Sequence, residues 1–448
     1  MARLNVANSS ASRRVRTHEG GRAQRVSPEE HLRRAVLTCL LWERAFYEDG
    51  NDLAQRIADL VSRVDPAKVA KLAIEARDKM RLRHVPLFLC TELARRRGNG
   101  PLVRKTLAEV IRRPDELCET VAMFWRDGRK PCLTRGIKKG LAEAFAKFSE
   151  YQLAKWNRDS EIRLRDVLFL CHAKPQSCEQ AALWRRLIDN ELTVPDTWET
   201  ALSSGADKKE TWTRLLSEKK LGGMAVLFNL RNMINAGVDT QLIRQRLTQG
   251  IKMALPFRFV TAARYNPILE DAIEKAMLKG LVEMPPLHGN TGLLVDVSGS
   301  MADPLSSKGD TTRMDAGAGL AILLRELCEQ VYVATFSREC VLVPPRRGFA
   351  LRDAVINSQR HGATYLAQAL QALRRERAEW RDLDRIIVIT DEQSHDGFTA
   401  AWTPRAYMLN VASYQNGLGY GSGWTHINGW SERLVDYIQA IEGSDAQT

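Results

Sequence analysis

The stretch Thr291–Met301 constrains the fold more than any other part of this 448-residue chain. Its apolar run Leu293–Val295 ends abruptly in Asp296, and glycines bound the run on both sides. This pattern predicts a buried parallel strand that ends in a loop. Ser298 and Ser300 follow the acid at alternating positions, and such hard oxygens are ligands that Mg²⁺ prefers. Taken alone, the same motif also fits a turn in which the acid or a serine caps the next helix.

The residues that follow the proline-containing linker Leu281–Thr291 alternate between strand and helix patterns. A second apolar run, Arg385–Asp391, also ends in an acid. Alternation of this kind predicts a doubly wound parallel sheet with right-handed crossovers, and ligands bind such sheets beyond the carboxyl ends of the strands. We therefore expect Asp296 and Asp391 at one edge of the sheet. The further predicted elements are helices at Ala316–Glu329, Leu351–Ile356, Tyr365–Arg375 and Ser431–Ile441, and strands at Val331–Phe336, Cys340–Val343 and Ala406–Val411.

A threonine, Thr364, lies in a glycine-bearing loop between these two acids. The order D-x-S-x-S, then Thr, then Asp resembles the metal-ion-dependent adhesion site of von Willebrand factor type A domains. The resemblance implies an α/β Rossmann-like fold in which Ser298, Ser300 and Thr364 bind Mg²⁺ directly, with Asp296 and Asp391 close by, often through waters. Neutral hydroxyl ligands would leave the ion able to accept an outside carboxylate or phosphate.

Charge is distributed unevenly along the chain, whose formal net charge is +12. Residues 286–448 contain 15 Lys or Arg against 19 Asp or Glu, whereas residues 1–285 contain 51 against 35. The basic first part is therefore a candidate for binding a polyanion, and the second part is not. A basic surface that serves only solubility is the alternative.

Hydropathy and cysteine usage indicate a cytoplasmic protein. No window is apolar enough for a membrane span, and the Arg-rich start has no apolar segment of the kind that secretory signals carry. The eight cysteines are scattered without a CxxC pair, and a chain of this size needs no disulfides to be stable. We expect no membrane partner.

The chain divides into three predicted parts. Residues 1–26 are rich in Arg, Ser and Gly and predict a flexible basic arm. From Ser27, apolar residues recur at helical spacing, and Gly or Pro interrupts them about every three helical turns. Short helices joined by tight turns over residues 27–284 favour an α-solenoid of HEAT-like hairpins, with a compact irregular helical domain as the alternative. The α/β domain is predicted for residues 285–448.

Positive and aromatic residues cluster within the helical part. Cations neutralise phosphates, and aromatic rings offer stacking surfaces to unpaired bases. A solvated basic face with its aromatic residues in the core is the alternative. A further Arg-Asn pair lies in the apolar helix around Leu230, where it suggests an interior polar network or a cavity-lining contact. The candidate polyanion-binding residues of the cluster are Lys138, Lys139, Lys155, Arg158, Arg163, Arg165, His172 and Lys174, and the embedded pair is Arg231 and Asn232.

A basic helical array followed by a type A domain resembles the TROVE and Ro autoantigen family from about Ser27 to the end of the chain. The stretches most similar to the family are Leu82–Leu87, Arg135–Lys174, the Cys-His-Ala-Lys-Pro run that follows Leu170, and Leu230–Met233. The D-V-S-G-S-M run from Asp296 is also similar, although type A domains in general share it.

The family resemblance implies an all-α ring of HEAT-like helices closed by the type A domain. It implies that the ring cavity, with Arg231 and Asn232 facing inward, takes single-stranded 3′ ends of misfolded RNA. The outer basic surface between Lys138 and Lys174 would hold a small noncoding RNA of the Y type, with His172 and Lys174 at the positions of the histidine and the lysine in the family's H-x-K-P motif. Noncoding RNA quality control, an exoribonuclease partner and a monomeric state are further expectations.

Enzymatic function is not expected. The chain has no P-loop, no H-E-x-x-H and no G-x-S-x-G motif, and no lysine stands where a haloacid-type phosphatase would need one. Two alternatives to RNA binding remain open. One is an adhesion-type scaffold that binds acidic protein partners through Mg²⁺, and the other is a Mg²⁺-dependent phosphohydrolase.

Overall fold

The computed structural model describes residues 27–37, 50–80, 82–126, 128–193, 195–203, 205–251, 254, 256–282, 284, 286–304, 310–412, 418–419, 422–429, 434–435, 438–439 and 442. The predicted basic arm 1–26 lies outside these residues, as does most of the predicted closing helix Ser431–Ile441. The predicted domain boundaries at residues 27 and 285 stay predictions.

The described residues up to Leu281 form helices joined by short connections. They are α1 (Pro28–Leu37), α2 (Gly50–Arg63), α3 (Pro66–Asp78), α4 (His84–Arg95), α5 (Gly100–Val110), α6 (Asp115–Phe124), α7 (Arg135–Phe145), α8 (Glu150–Trp156), α9 (Leu164–Cys171), α10 (Cys178–Ile188), α11 (Trp198–Ser203), α12 (Lys208–Ser217), α13 (Gly223–Asn235), α14 (Thr240–Leu247), α15 (Pro256–Tyr265) and α16 (Glu270–Leu281).

Local sequence signals set where these helices begin. Ser27 caps α1 reciprocally: its hydroxyl accepts from the Glu30 amide at 3.2 Å, and the Glu30 carboxylate accepts from the Ser27 amide at 3.1 Å. The Asp65 carboxylate accepts from the first amides of α3 at 2.9 and 3.3 Å. Helical structure therefore begins directly after Ser27, as the apolar spacing predicted.

The helices stack as hairpins in two layers. Helix α3 packs against α1 and α5, α5 packs against α7, and α7 packs against α9, while α4 packs against α2 and α6. Close approach of α5 and α7 requires glycine, because a Cβ on Gly136 would lie 2.7 Å from the Gly100 carbonyl oxygen and one on Gly140 would lie 2.8 Å from Leu107 Cβ. Helices α12, α14 and α16 repeat this neighbour pattern. The HEAT-like solenoid is confirmed over the irregular alternative.

A six-stranded sheet follows the helices, with strand order β3-β2-β1-β4-β5-β6. All neighbours pair in parallel except β3, which is antiparallel to β2. Most predicted elements are found within a few residues of their predicted bounds, but β6 was not predicted. The elements are β1 (Leu287–Asp296), α17 (Arg313–Leu327), β2 (Cys328–Phe336), β3 (Cys340–Leu342), α18 (Gly348–Ile356), α19 (Leu366–Glu376), β4 (Arg385–Thr390), β5 (Arg405–Asn410) and β6 (Thr425–Asn428).

The sheet buries apolar side chains on both faces, as a doubly wound fold requires. Leu294 and Val388 face one apolar core, which includes α19. Leu293 and Val295 face a second core that continues without a break into α12–α17. Helix α17 approaches α15 so closely that a Cβ on Gly319 would lie 2.7 Å from the Phe257 amide nitrogen. The last helices of the solenoid and the sheet therefore share one hydrophobic core.

The first helix also contacts the α/β domain. Arg34 of α1 donates to the Glu392 carboxylate at 2.8 Å, and neither side chain is exposed to solvent. Glu392 additionally accepts from the Leu418 amide at 2.8 Å and lies 3.2 Å from His426 Nδ1. Burial alone would raise the pKa of Glu392, but the positive charges of Arg34 and His426 lower it to about 2. Contacts at both ends of the solenoid close the chain into the predicted ring.

None of the helices described in the structure combines the length and the apolar character that crossing a membrane requires.

The buried pair Arg34–Glu392 gives a stability prediction. Arg34→Met retains apolar contacts but leaves the Glu392 charge buried beside fewer partners, so we expect a loss of about 3–5 kcal/mol in the free energy of unfolding. Arg33→Met is the matched control, because Arg33 lies next to Arg34 on α1, is 30% exposed and pairs with Glu75 of α3. It should cost about 1 kcal/mol or less. Urea unfolding monitored by circular dichroism measures both, and equal losses would contradict the importance of the buried pair.

Candidate metal centre and nucleic-acid interface

The carboxyl end of β1 supplies the first predicted metal-binding loop. Asp296 pairs with Phe336 in the sheet, and the Val297 amide donates to the Phe336 carbonyl at 2.9 Å, which fixes the loop as it leaves the strand. The Ser298 amide donates to Asp296 Oδ1 at 2.9 Å, and the Ser298 and Ser300 hydroxyl oxygens lie 3.4 Å apart. All three of these polar side chains are buried.

The loop that carries Thr364 lies against this first loop. The Gly299 amide donates to the Gly362 carbonyl at 3.0 Å. Ser337 holds the same segment from the end of β2, because its hydroxyl accepts from the Gly362 amide at 2.9 Å and donates to the Ala363 carbonyl at 3.0 Å. Thr364 is 2% exposed, and its carbonyl accepts from the His395 amide at 2.8 Å.

Asp391 follows β4, the strand that pairs with β1. Thr390 joins the two acid loops, because its hydroxyl donates to Asp296 Oδ2 at 2.7 Å. Burial and the neighbouring Asp391 carboxylate raise the pKa of Asp296 to about 7. The five predicted metal-site residues therefore lie on three adjoining loops at one edge of the sheet.

The donor chemistry of this edge fits a hard divalent cation. Two buried carboxylates repel each other there, and a cation between them would relieve that repulsion. Hydroxyl and carboxylate oxygens are the ligands that Mg²⁺ prefers. Within the part of the chain that the structure describes, no group of three or more His, Cys, Asp or Glu side chains is arranged to hold a metal ion.

One predicted RNA-binding cluster forms on the solenoid where α7 meets the end of α9. Thr134 caps α7 by accepting from the Ile137 amide, and the helix then presents Lys138 and the exposed Lys139. His172 ends α9 in a left-handed conformation with φ 53°. This places its Nε2 3.5 Å from Lys138 Nζ. Residues 34 positions apart are thus brought together, and Lys174 is exposed two residues beyond.

The other predicted cations of this region are already engaged with acids or rings. Lys155 lies 3.3 Å from Glu199, Arg163 pairs with Asp159, and Arg165 lies 3.9 Å from Asp166. The Arg158 guanidinium carbon lies 4.7 Å from the centroid of the Trp156 ring. The Arg113 guanidinium carbon lies 3.9 Å from the same centroid, although the sequence did not indicate a role for Arg113.

The aromatic residues interleaved with these cations divide between core and surface. Phe145 and Phe148 are buried in the solenoid core, so for these two rings the alternative interpretation, aromatic residues in the core, is correct. Tyr151 is 56% exposed, and Trp156 is half-buried beneath its cations.

Arg231 and Asn232 line a separate pocket of about 340 Å³ between α13, α15 and the segment at Asp310. The Arg231 guanidinium carbon lies 5.3 Å from the centroid of the Tyr265 ring. Asn232 donates to Asn229 Oδ1 at 3.0 Å, so the Arg-Asn pair both lines a cavity and joins a polar network.

The Arg231 pocket contains functional candidates that the sequence did not reveal. Phe228 is 57% exposed and Tyr265 is 45% exposed. The Arg258 guanidinium carbon lies 5.0 Å from the centroid of the Phe228 ring. Phe228 precedes Arg231 by three positions, so both lie on one face of α13, and this spacing could have identified Phe228 from the sequence. No sequence pattern could have identified Tyr265, because it reaches the pocket only through the packing of α15 on α13.

Comparisons with known proteins agree with this architecture. Residues 189–280 match the TROVE domain. The chain is 22% identical to mouse (Mus musculus) telomerase protein component 1 over 58% of its length, and 20% identical to the rat (Rattus norvegicus) protein over 53%. These matches span 13% and 12% of the two telomerase components. The crystal structure of the Ro (RSR) protein of Deinococcus radiodurans is similar with a TM-score of 0.59 and 18% identity, over 92% of this chain and 99% of that one.

These findings confirm the resemblance to the TROVE and Ro family, and they confirm the fold of a helical-repeat ring joined to a von Willebrand factor type A-like domain. The TROVE match covers α13 and α15, the helices of the Arg231 pocket, whereas Lys138 and His172 lie outside it.

Proposed function

We propose that this protein binds RNA at two places. A small structured noncoding RNA of the Y type would lie on the outer basic surface around Lys138 and His172. A single-stranded 3′ end of a misfolded RNA would enter the Arg231 pocket. The observation that carries the proposal is the pairing of exposed aromatic rings with arginines in that pocket, within the segment that matches the TROVE domain.

The chemistry of the Arg231 pocket suits an unpaired strand. Phe228 and Tyr265 expose ring faces on which bases can stack, while Arg231 and Arg258 supply charge for the phosphates. Asp310 at the pocket edge accepts a hydrogen bond from the Tyr265 hydroxyl, which raises the pKa of that phenol and orients the ring. A base-paired stem could not present its bases to these rings, so the pocket favours a strand end.

The chemistry of the Lys138 surface suits a structured RNA. Lys138, Lys139 and Lys174 are point charges on helix ends and faces, and such groups contact the phosphates of a stem rather than its bases. The role we propose for the whole ring is noncoding RNA quality control and decay in the cytoplasm, with an exoribonuclease as protein partner.

We further propose that the three loops of the α/β domain bind Mg²⁺ through Ser298, Ser300 and Thr364, with Asp296 and Asp391 beside the ion. Two buried acids and three nearby hydroxyl side chains support this assignment. An ion held mainly by neutral hydroxyls can accept an outside carboxylate or phosphate. This property also supports a second candidate function, the docking of an acidic protein partner at the metal centre.

Charge reversal at Lys138 and Lys139 tests the structured-RNA surface. We expect Lys138→Glu/Lys139→Glu to weaken binding of a stem-loop RNA on the order of tenfold or more, and to lower the slope of log affinity against log salt by about one for each phosphate that the protein no longer neutralises. Fluorescence anisotropy at several salt concentrations measures both. The control Lys208→Glu/Lys209→Glu makes the same charge change at exposed positions that begin α12. An equal effect of the two variants would show that net charge alone matters.

Truncation of the exposed rings tests the single-strand pocket. Phe228→Ala and Tyr265→Ala should each weaken binding of a single-stranded oligoribonucleotide by about 1–3 kcal/mol, the value of one stacked base. Filter binding measures the affinity. Tyr332→Ala removes a ring that is 37% exposed on β2, and it should leave the affinity unchanged. Unchanged affinity in all three variants would contradict the pocket assignment.

The loss of one hydroxyl tests the metal centre. Mg²⁺ at 100 times its dissociation constant should stabilise the protein by about 2.7 kcal/mol, seen as a higher melting temperature. Ser300→Ala should remove most of that increase and leave RNA binding intact. Ser358→Ala, which deletes a hydroxyl bonded to Thr335 at 2.7 Å instead, should keep the Mg²⁺ effect. A full Mg²⁺ effect in Ser300→Ala would show that the ion does not bind there.

A further inference from the structure

A second concave site lies beside the Lys138 surface, between α9 and α10. It is an open groove of about 430 Å³, within the range of ligand-binding clefts. Leu168 and Trp184 form an apolar floor, and both are buried. Trp184 is held in place by an edge-to-face contact with Phe145, with ring centroids 5.5 Å apart and an interplanar angle of 81°. The floor is therefore preformed.

Phe169 stands at the side of this groove with 58% of its surface exposed. Exposure of a phenyl ring to water is unfavourable, so a ligand that covers the ring would gain free energy from its burial. His172 also lines the groove, and its Nε2 lies 3.5 Å from Lys138 Nζ. The apolar slot and the Lys138–His172 contact are thus adjacent on one surface.

Polar groups stand at the rim of the groove. Arg185 of α10 and Asp189, which caps the C-terminus of that helix, are both exposed and both line the groove. An arginine can hold a phosphate or a base acceptor, while a carboxylate accepts hydrogen bonds from the exocyclic amino group of a base.

We propose that this groove takes one unpaired nucleobase of the RNA that binds at Lys138 and His172. The inference rests on the proposed RNA-binding function and adds a base-reading element to it. The occupant is a nucleobase because the slot is apolar and aromatic, while the flanking cations would hold the phosphates on either side of it. Only a bulged or looped-out nucleotide can enter, since stacked bases of a stem cannot reach the floor. Asp189 favours a base with an amino group, such as adenine, over uracil.

The test uses two RNA hairpins that differ only by a single bulged adenosine. At one fixed salt concentration, the wild-type chain should bind the bulged hairpin on the order of tenfold more tightly than the fully paired one. Phe169→Ala should remove most of this difference while leaving the affinity for the paired hairpin unchanged. Tyr151→Ala is the matched control, because it deletes a ring of similar exposure, 56%, on the neighbouring helix α8. It should retain the difference.

Two further measurements separate the possible failures. A bulged 2-aminopurine should lose fluorescence on binding the wild type, through stacking in the groove, and keep it with Phe169→Ala. A bulged uridine should bind less tightly than adenosine to the wild type, and Asp189→Asn should reduce that preference. Equal affinity of the wild type for both hairpins, while Lys138→Glu/Lys139→Glu still weakens both, would overturn the groove proposal alone. Failure of the wild type to bind either hairpin would overturn the proposed function, and the groove proposal with it.

Discussion

The buried pair of Arg34 and Glu392 is the contact on which the closed shape of this protein depends. It joins the first helix of the solenoid to the loop after β4, while the opposite end of the solenoid shares a hydrophobic core with the sheet. A buried carboxylate is costly unless it is paired. Glu392 has partners on three separate segments, namely Arg34, the Leu418 amide and His426. Glu392 directly follows Asp391, so the same short loop holds both the ring closure and one acid of the candidate metal centre.

This arrangement separates two kinds of chemistry. The helical part carries the positive charge, the exposed aromatic rings and the two concave sites that suit RNA. The α/β domain carries a compact cluster of buried oxygens that suits a small cation. The Arg231 pocket lies where the two parts meet, because Thr261 of α15 and Thr311 before α17 are joined by a hydrogen bond of 2.8 Å. An RNA end in that pocket would therefore contact both parts of the ring.

The sequence predicted local features well and long-range ones only through family resemblance. The strand that ends at Asp296, the helical segment that begins after Ser27 and the strand at Cys340 are each encoded within a few residues, and the structure confirms them. The contact of Lys138 with His172 depends on how α7 packs on α9, so spacing along the chain could not predict it. The sequence did not indicate a role for Glu392, because its partner Arg34 lies 358 positions away. The metal ligands and the RNA contacts stay predictions. The structure shows which side chains lie close enough together to act in each of them.

RNA binding at the two sites can be tested by purifying the protein from its own cells after ultraviolet cross-linking, sequencing the attached RNA and mapping the cross-linked peptides. We expect small structured RNAs attached to peptides containing Lys138 or Phe169, and RNA 3′ ends attached to peptides containing Phe228 or Tyr265. Recovery of protein partners without RNA, or cross-links confined to the α/β domain, would contradict RNA binding by the helical ring.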